Sequence, residues 1–272
     1  MVYFVATPIG NLKDISLRAI DTLKSVDVIF CEDTRHSLKL LNALDIKKPL
    51  KSCHKFNERE AAEKIIAGAR DGKEIAVISD AGMPVISDPG NIVCAALKEA
   101  GVDYTVVPGA NAFLSALILS SMPADKFAFI GFLPEKTSEC KAVLEKYKNL
   151  DLTLCFHCAP QDIDHTISLA NSVLGDRNAC LVREITKIHE QAVTFKLSQG
   201  YGGEKRGEFV LIIEGAKATE NPLNSLSEIE HILHYMNSGL DKKDAVKQVA
   251  KDRGISKSEI YKYSIDLGDN NE

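Results

Sequence analysis

Four short segments of this chain combine glycine, proline or acidic residues, and each directly follows an apolar run. They are Thr7-Pro8-Ile9-Gly10-Asn11, Glu32-Asp33-Thr34-Arg35, Ser79-Asp80-Ala81-Gly82-Met83-Pro84 and Pro108-Gly109-Ala110-Asn111. Glycine allows a backbone to approach a ligand closely, and proline stiffens a loop. Because ligands of open α/β sheets bind beyond the carboxyl ends of the strands, these segments predict a pocket at one sheet edge.

The spacing of the glycines excludes two common phosphate sites. No G-x-G-x-x-G follows the first apolar run, and no G-x-x-x-x-G-K-[ST] occurs in the chain. Neither a dinucleotide site nor an ATP site is therefore predicted. The loops suit a ligand that is recognised through backbone groups and one or two carboxylates.

Glu32, Asp33 and Arg35 are candidate catalytic residues. A carboxylate can accept a proton from a weakly acidic hydroxyl, and a nearby cation can lower the pKa of that hydroxyl. The alternative for these three residues is a solvated turn with an internal ion pair.

His54, Asn57 and Glu58 form a second group of candidate site residues, here called the rim, which we predict to contact a substrate. The alternative is a helix start in which Asn57 is the N-cap and Glu58 interacts favourably with the helix dipole. Cys155-Phe156-His157-Cys158 has no second ligand pair at a spacing typical of zinc sites, so we expect no metal.

The elements that position the candidate residues are indicated by an alternation of short apolar runs and amphipathic runs. This alternation extends to residue 131. It is typical of βαβ units around a largely parallel sheet. The predicted strands of this first lobe are Val2–Ala6, Val26–Cys31, Ile75–Ser79, Tyr104–Val107 and Phe127–Gly131.

A second α/β lobe is predicted over residues 132–222, and its first residues, Phe132-Leu133-Pro134-Glu135-Lys136, are predicted to be a linker. Its predicted strands are Leu152–Phe156, Ala179–Arg183, Ala192–Leu197 and Phe209–Glu214. Residues 223–272 predict a small helical extension, in which Ser256 and Glu259 form a capping box.

The helical extension carries a local positive charge in an acidic protein. The whole chain has a formal charge of −5, whereas residues 240–263 hold seven basic and four acidic residues. Lys242, Lys243, Lys257 and Lys262 are therefore candidate phosphate contacts, as in a nucleic-acid-binding module. The alternative is a solvated helical pair with ordinary ion pairs between neighbouring turns.

Composition places the chain among water-soluble globular proteins. Of its 272 residues, 45% are hydrophobic and 26% are charged. No signal peptide is visible, and no apolar run reaches the roughly 18 residues that a membrane span needs. We expect a cytoplasmic protein whose seven cysteines are free thiols.

An ordered set of motifs resembles the bacterial 16S ribosomal RNA 2′-O-methyltransferases of the tetrapyrrole methylase superfamily, which are class III S-adenosylmethionine-dependent enzymes. The set comprises Val5-Ala6-Thr7-Pro8-Ile9-Gly10-Asn11-Leu12, Cys31-Glu32-Asp33-Thr34-Arg35, Ser79-Asp80-Ala81-Gly82, Ser87-Asp88-Pro89-Gly90, Gly131-Phe132-Leu133-Pro134, Arg206-Gly207-Glu208 and Ile260-Tyr261-Lys262-Tyr263.

The resemblance implies a homodimer with S-adenosylmethionine in a trough between two α/β lobes. The implied cofactor contacts are Pro8, Ile9, Gly10, Asp80, Gly82, Met83, Asn111 and Ala112, with Phe156 closing the trough. The implied substrate is the ribose of a decoding-centre cytidine in 16S rRNA or the small ribosomal subunit. An Asn-Glu pair stands in the family at Asn57 and Glu58, which supports RNA contact there.

The chain departs from the family between His157 and Asp162. Relatives carry Tyr-Glu-Ser-Pro-His-Arg where this chain has His-Cys-Ala-Pro-Gln-Asp. These changes leave open a non-catalytic ribosome-binding relative, and the shared fold leaves open a tetrapyrrole (precorrin) methyltransferase. The basic tail favours RNA, and the intact cofactor loops oppose the loss of activity.

Overall fold

In this computed structural model, which describes residues 1–217, 222–265 and 267, the chain divides into two units, Met1–Ala216 and Lys217–Glu272. The predicted boundary at residue 222 adjoins residues 218–221, which lie outside the described part. Residues 266 and 268–272 of the predicted helical extension also lie outside it.

The first sheet of the larger unit is fully parallel, with the strand order β3-β2-β4-β1-β5. Its strands are β1 Val2–Val5, β2 Val28–Cys31, β3 Leu50–Ser52, β4 Ile75–Ile78 and β5 Tyr104–Val107. Its helices are α1 Leu17–Ser25, α2 Thr34–Ala43, α3 Glu58–Arg70, α4 Asn91–Glu99 and α5 Ala112–Ser120. The predicted parallel arrangement is confirmed, and all four predicted loops meet at the carboxyl edge of this sheet.

The second sheet has the order β6-β7-β10-β8-β9 and is mixed, because β6 runs parallel to β7 and the other pairs are antiparallel. Its strands are β6 Phe127–Phe132, β7 Thr153–Cys158, β8 Asn178–Arg183, β9 Gln191–Lys196 and β10 Phe209–Ile213. Helices α6 Thr137–Glu145 and α7 Ile163–Leu174 accompany it. The assignment of Phe127–Gly131 to the first lobe was wrong, since this strand pairs with β7.

Helix α5 joins the two sheets through a shared apolar core. Its residues Ala116 and Leu117 are buried together with Cys180 on β8 and Ile212 on β10, and Ile9 of the loop after β1 belongs to the same cluster. This packing holds the carboxyl edge of the first sheet against the second sheet and leaves a cleft between them.

The second unit contains three α-helices in its described residues, α8 Glu228–Asn237, α9 Lys242–Arg253 and α10 Lys257–Ser264. They enclose an apolar core formed by Ile232, Val246, Val249, Ile260 and their neighbours. Ser256 and Glu259 form the predicted capping box. None of the described helices is both long and apolar enough to span a membrane.

Candidate active site between the two sheets

A cavity of about 390 Å³ lies where the loops after β1, β4 and β5 face β7 and β10. Its volume is in the range of small-molecule sites. Five of the residues predicted to bind the cofactor line it, namely Ile9, Gly82, Met83, Asn111 and Ala112. Three of the four loops that the sequence singled out thus contribute residues to the cavity wall.

Backbone hydrogen bonds fix the loop that forms one wall. Thr7 and Gly82 exchange two N–H···O bonds of 2.9 and 3.1 Å, and the Ser79 hydroxyl donates to the Gly82 carbonyl at 3.0 Å. Gly82 adopts φ of 80°, a conformation that favours glycine. A Cβ at Gly82 would lie 3.2 Å from Cγ2 of Ile9, so the absence of a side chain keeps this part of the wall open. A cavity of this size, with a glycine in a wall that hydrogen bonds hold in place, fits a nucleoside-containing cofactor.

Four predicted cofactor residues do not line the cavity, namely Phe156, described below, and Pro8, Gly10 and Asp80. Pro8 is half-buried beside it. Gly10 packs against the loop after β8, because an added Cβ would lie 2.9 Å from the Ile185 carbonyl oxygen. Asp80 accepts a hydrogen bond from the Asp33 backbone N–H at 3.2 Å and so connects two strand-end loops. The role of each in cofactor binding stays a prediction.

The structure corrects the position predicted for Phe156. Its side chain is only 1% exposed and packs in the core of the second lobe. Because successive side chains of a strand point to opposite faces, the next residue, His157, lines the cavity instead. The His157 ring lies 5.2 Å from Phe129 and 5.3 Å from Phe132, centroid to centroid. Burial lowers the pKa of His157, which favours the neutral imidazole.

Glu58 has a structural partner that the sequence did not reveal. Its Oε1 atom accepts hydrogen bonds from the backbone N–H groups of Gly90, Ile92 and Val93 at 2.8, 2.7 and 3.3 Å. Glu58 is only 7% exposed, so the prediction that its side chain contacts RNA is corrected. The carboxylate caps α4, whose own N-cap residue, Gly90, has no side chain.

The loop that Glu58 holds has unusual backbone geometry. Val85 and Ser87 adopt φ of 76° and 65°, although neither is glycine. Such residues persist only where the surrounding structure enforces them, and they concentrate at functional sites. Ser87 and Asp88 both line the cavity. Asp88 was quoted in a motif but not predicted as a site residue.

Three carboxyl groups meet at the carboxyl ends of β2 and β4. Burial and the neighbouring charges of Glu32 and Asp80 raise the pKa of Asp88 to about 7. Burial and the charge of Asp80 also raise the pKa of Glu32, and the neighbouring Asp88 partly offsets this rise. The sequence did not predict this cluster, because Glu32 lies far in the chain from Asp80 and Asp88.

Asp33 and Arg35 form the internal ion pair that was the alternative to a catalytic role. The Arg35 Nη2 atom lies 3.0 Å from Asp33 Oδ2, and Asp33 Oδ1 accepts the Arg35 backbone N–H at 2.8 Å. These bonds lower the pKa of Asp33 to about 2, which makes it a weak base. Of the two acidic candidates, the structure therefore favours Glu32.

The opposite wall contains a second set of paired charges. Lys187 Nζ lies 3.0 Å from carboxylate oxygens of both Glu184 and Glu208, and Glu184 also accepts the Glu208 backbone N–H at 3.0 Å. Gly207 permits this arrangement, since a Cβ there would lie 2.4 Å from Glu184 Oε1. Glu208 lines the cavity, so this network holds one wall in place.

The predicted rim lies in the loop after β3, which an internal hydrogen bond stabilises. Asn57 does not cap α3 with its side chain; its Oδ1 accepts the His54 backbone N–H at 2.8 Å. His54 Nδ1 is buried and has no hydrogen-bond partner among the described residues. Phe56 between them is 85% exposed, with Lys55 Nζ 4.9 Å from its ring centroid. An exposed aromatic ring beside a cation suits a nucleobase.

In the second unit, the predicted phosphate contacts differ in their surroundings. Lys243, Lys257 and Lys262 are exposed, whereas Lys242 Nζ donates to the Leu267 carbonyl. Among the described residues, no group of three or more His, Cys, Asp or Glu is placed to hold a metal. All seven cysteines lie in the described ranges and are free.

Comparisons with known proteins agree with this arrangement. A family model for the tetrapyrrole (corrin/porphyrin) methylases matches residues 1–199. The chain is 42% identical over 269 residues to the ribosomal RNA small subunit methyltransferase I of Halalkalibacterium halodurans, covering 96% of this chain and 93% of the relative. It is 41% identical over 270 residues to the protein of the same name from Bacillus subtilis, covering 96% and 92%.

Solved structures show the same fold at low sequence identity. A uroporphyrin-III C-methyltransferase from Thermus thermophilus superposes with a TM-score of 0.57 at 20% identity, covering 78% of this chain and 93% of the other. The methyltransferase CobJ superposes with a TM-score of 0.61 at 16% identity, covering 79% and 94%. From the family match and the full-length relatives, the chain belongs to the tetrapyrrole methylase family and is an S-adenosylmethionine-dependent methyltransferase.

Proposed function

We propose that this protein methylates the ribose 2′-oxygen of a decoding-centre cytidine in 16S rRNA, acting on the small ribosomal subunit in the cytoplasm. The observation that carries the proposal is the cavity in which the cofactor loops meet a carboxyl cluster. Relatives named ribosomal RNA small subunit methyltransferase I, at 34–42% identity across nearly the whole chain, support an RNA substrate.

The chemistry needs alignment of three atoms and the removal of one proton. S-adenosylmethionine supplies an electrophilic methyl group on a sulfonium. The loops that carry Ile9, Gly82 and Asn111 would hold the cofactor, and Phe132 and His157 would shield the reacting atoms from water. The new bond forms between the ribose oxygen and the methyl carbon while the sulfur–carbon bond breaks. A carboxylate of the cluster formed by Glu32, Asp80 and Asp88 would take the hydroxyl proton.

Two exposed surfaces are suited to RNA. Lys55 and Phe56 offer a cation and a ring on the loop after β3. Lys243, Lys257 and Lys262 of the second unit are accompanied by Tyr261, which is 57% exposed. Lysines neutralise phosphates and aromatic rings stack on bases, so both surfaces serve as RNA contacts.

The same proposal includes a homodimer formed through α5. One face of this helix is buried against the second sheet, but Leu114 and Ile118, one turn apart, are 42% and 78% exposed. Val106 on the neighbouring edge strand β5 is 44% exposed. A second copy of the chain would cover these apolar side chains.

Tetrapyrrole methylation is the second candidate function. The superposed structures of a uroporphyrin-III C-methyltransferase and of CobJ favour it at the level of the fold. A tetrapyrrole methylase needs no basic helical extension, however, and the relatives named as rRNA enzymes align over this extension as well.

A methyl-transfer assay with two substrates distinguishes rRNA methylation from tetrapyrrole methylation. Purified protein is incubated with labelled S-adenosylmethionine and either small ribosomal subunits from a deletion strain or uroporphyrinogen III. We expect label in one cytidine of 16S rRNA, located by ribose-methylation mapping, and none in the tetrapyrrole. Label in the tetrapyrrole alone would replace the proposed function by the second candidate. An unchanged methylation map in the deletion strain would refute the RNA proposal.

A further inference from the structure

We infer that Asp88 is the general base of the methyl transfer, acting as one half of a carboxyl pair with Glu32. This inference rests on the proposed function and adds a catalytic residue to it. It depends on where Asp88 lies, on which groups surround it and on how its loop is held.

Asp88 lies on the cavity wall, on the same loop as the predicted cofactor residues Gly82 and Met83. A substrate hydroxyl that reaches a methyl group bound by this loop would therefore come close to Asp88. Glu32 and Asp33, by contrast, are absent from the residues that line the cavity. Of the carboxyl groups in the cluster, Asp88 is the one that faces the cavity.

The groups around Asp88 are suited to proton acceptance. It is half-buried, and the carboxyl groups that face it are Glu32 from the end of β2 and Asp80 from the end of β4. Among the described residues, no lysine or arginine forms an ion pair with Asp88. His54 and Lys55 act on the cluster through Glu32, whose charge they partly offset.

Two crowded carboxylates cannot easily both be ionised, so the pair retains a proton to a higher pH than a lone carboxyl group. The pKa of Asp88, raised to about 7 by burial and by Glu32 and Asp80, matches a base that operates near neutral pH. Asp33, whose pKa is lowered to about 2 by its bonds to Arg35, would hold a ribose proton much more weakly.

The loop of Asp88 is held rigidly. On the far side of Asp88, Glu58 binds the backbone N–H of Gly90 at 2.8 Å. The Pro89 carbonyl accepts the Val85 N–H at 3.3 Å, which closes the turn around Asp88. Held on both sides, the backbone that carries Asp88 has little freedom to move away from the cavity. Glu58 is thus a positioning residue for Asp88.

In the reaction, the ribose oxygen forms a bond to the methyl carbon as the methyl–sulfur bond breaks. The hydroxyl proton passes to the Asp88 carboxylate, and the sulfonium becomes a neutral thioether. Asp88 then releases the proton to solvent, directly or through Glu32. No metal, oxidant or further reactant is required for this balance.

The test is single-turnover methyl transfer to small subunits from a deletion strain, measured between about pH 5 and pH 9. Asp88→Asn keeps the size of the side chain but removes the base, so we expect the rate to fall by about 10²- to 10⁴-fold. Binding of S-adenosylmethionine, measured by calorimetry, should change by less than about threefold. Asp125→Asn, which alters an exposed carboxylate outside the cavity lining, is the matched control.

A second variant tests the pairing through the pH profile. The wild-type rate should rise with pH through about 7, because the unprotonated form of Asp88 is the active one. Glu32→Gln removes a neighbouring negative charge and so lowers the pKa of Asp88. The acid limb of the profile should therefore move to lower pH, which a merely structural role would not cause.

The outcomes are distinct. A rate for Asp88→Asn within threefold of the wild-type rate, or an acid limb that stays in place in Glu32→Gln, would overturn the inference while leaving the proposed function intact. Wild-type protein that transfers no methyl group to the subunits would overturn both.

Discussion

At the scale of single residues, Gly10 joins the two lobes beside the cavity. An added Cβ would lie 2.7 Å from Lys187 Cγ, 2.8 Å from Thr186 Oγ1 and 2.9 Å from the Ile185 carbonyl oxygen. The first of these neighbours can move, but the carbonyl belongs to the backbone. Glycine is needed here for space and not for a left-handed φ.

We therefore predict that Gly10→Ala forces the loops after β1 and β8 apart. The overpacking should lower the free energy of unfolding by about 1–3 kcal/mol and weaken S-adenosylmethionine binding at least tenfold. Gly202→Ala is the control, because nothing lies within 4 Å of a Cβ at that position. Thermal unfolding measures the stability of both variants, and calorimetry measures their affinity for S-adenosylmethionine. Equal affinities of Gly10→Ala and Gly202→Ala would contradict the prediction.

Some site residues could be predicted from a local sequence pattern, whereas others become site residues only through the fold. Ile9, Gly82 and Asn111 could be predicted because strand-end loops meet at one sheet edge. Phe156 was misplaced by one residue, and strand alternation makes such a shift equivalent to a change of face. Asp88 became significant only through Glu32 and Asp80, which are brought to it by the pairing of β2 with β4.

At the scale of elements, the start of α4 depends on a carboxylate from α3. Glu58→Ala would leave the N–H groups of Gly90, Ile92 and Val93 without this acceptor. Because buried donors without partners are costly, we expect a loss of about 2–4 kcal/mol in the free energy of unfolding. Methyl transfer should also slow, since the loop of Asp88 loses an anchor.

Glu60→Ala provides a comparison on the same helix. Glu60 forms an exposed ion pair with Lys64 at 2.6 Å, and removal of such a pair costs less than about 1 kcal/mol. Urea unfolding of the two variants should separate them clearly. If both lost the same stability, the capping role of Glu58 would be wrong.

The elements that sequence patterns missed or misassigned share a physical cause. Strand β3, Leu50–Ser52, has three residues and no alternation that would distinguish it from a loop. Strand β6 was recognised, but its assignment to the first lobe was wrong, because an apolar run does not specify which sheet it joins. By contrast, the capping box of α10 consists of residues within one helical turn and was predicted correctly.

At the scale of the whole molecule, α5 links the cavity to the proposed dimer. Ala112 at the start of this helix lines the cavity, and Ala116 and Leu117 are buried against the second sheet. Leu114 and Ile118 lie on its exposed side. A second copy that covers this side would restrain the helix on which one part of the cavity depends.

We predict that Ile118→Glu prevents dimer formation, because a charge would be buried at the centre of an apolar contact without a partner. Sedimentation equilibrium should give the wild-type protein twice the chain mass of 29.7 kDa and the variant a single chain mass. Leu38→Glu on α2 is the control, since Leu38 is 49% exposed on another helix and should leave the dimer intact. If the monomeric variant also binds S-adenosylmethionine several-fold more weakly, then the second copy stabilises α5 at the cavity. A wild-type protein that sediments as a monomer at micromolar concentration would instead leave this apolar face to another partner and remove the homodimer from the proposed function.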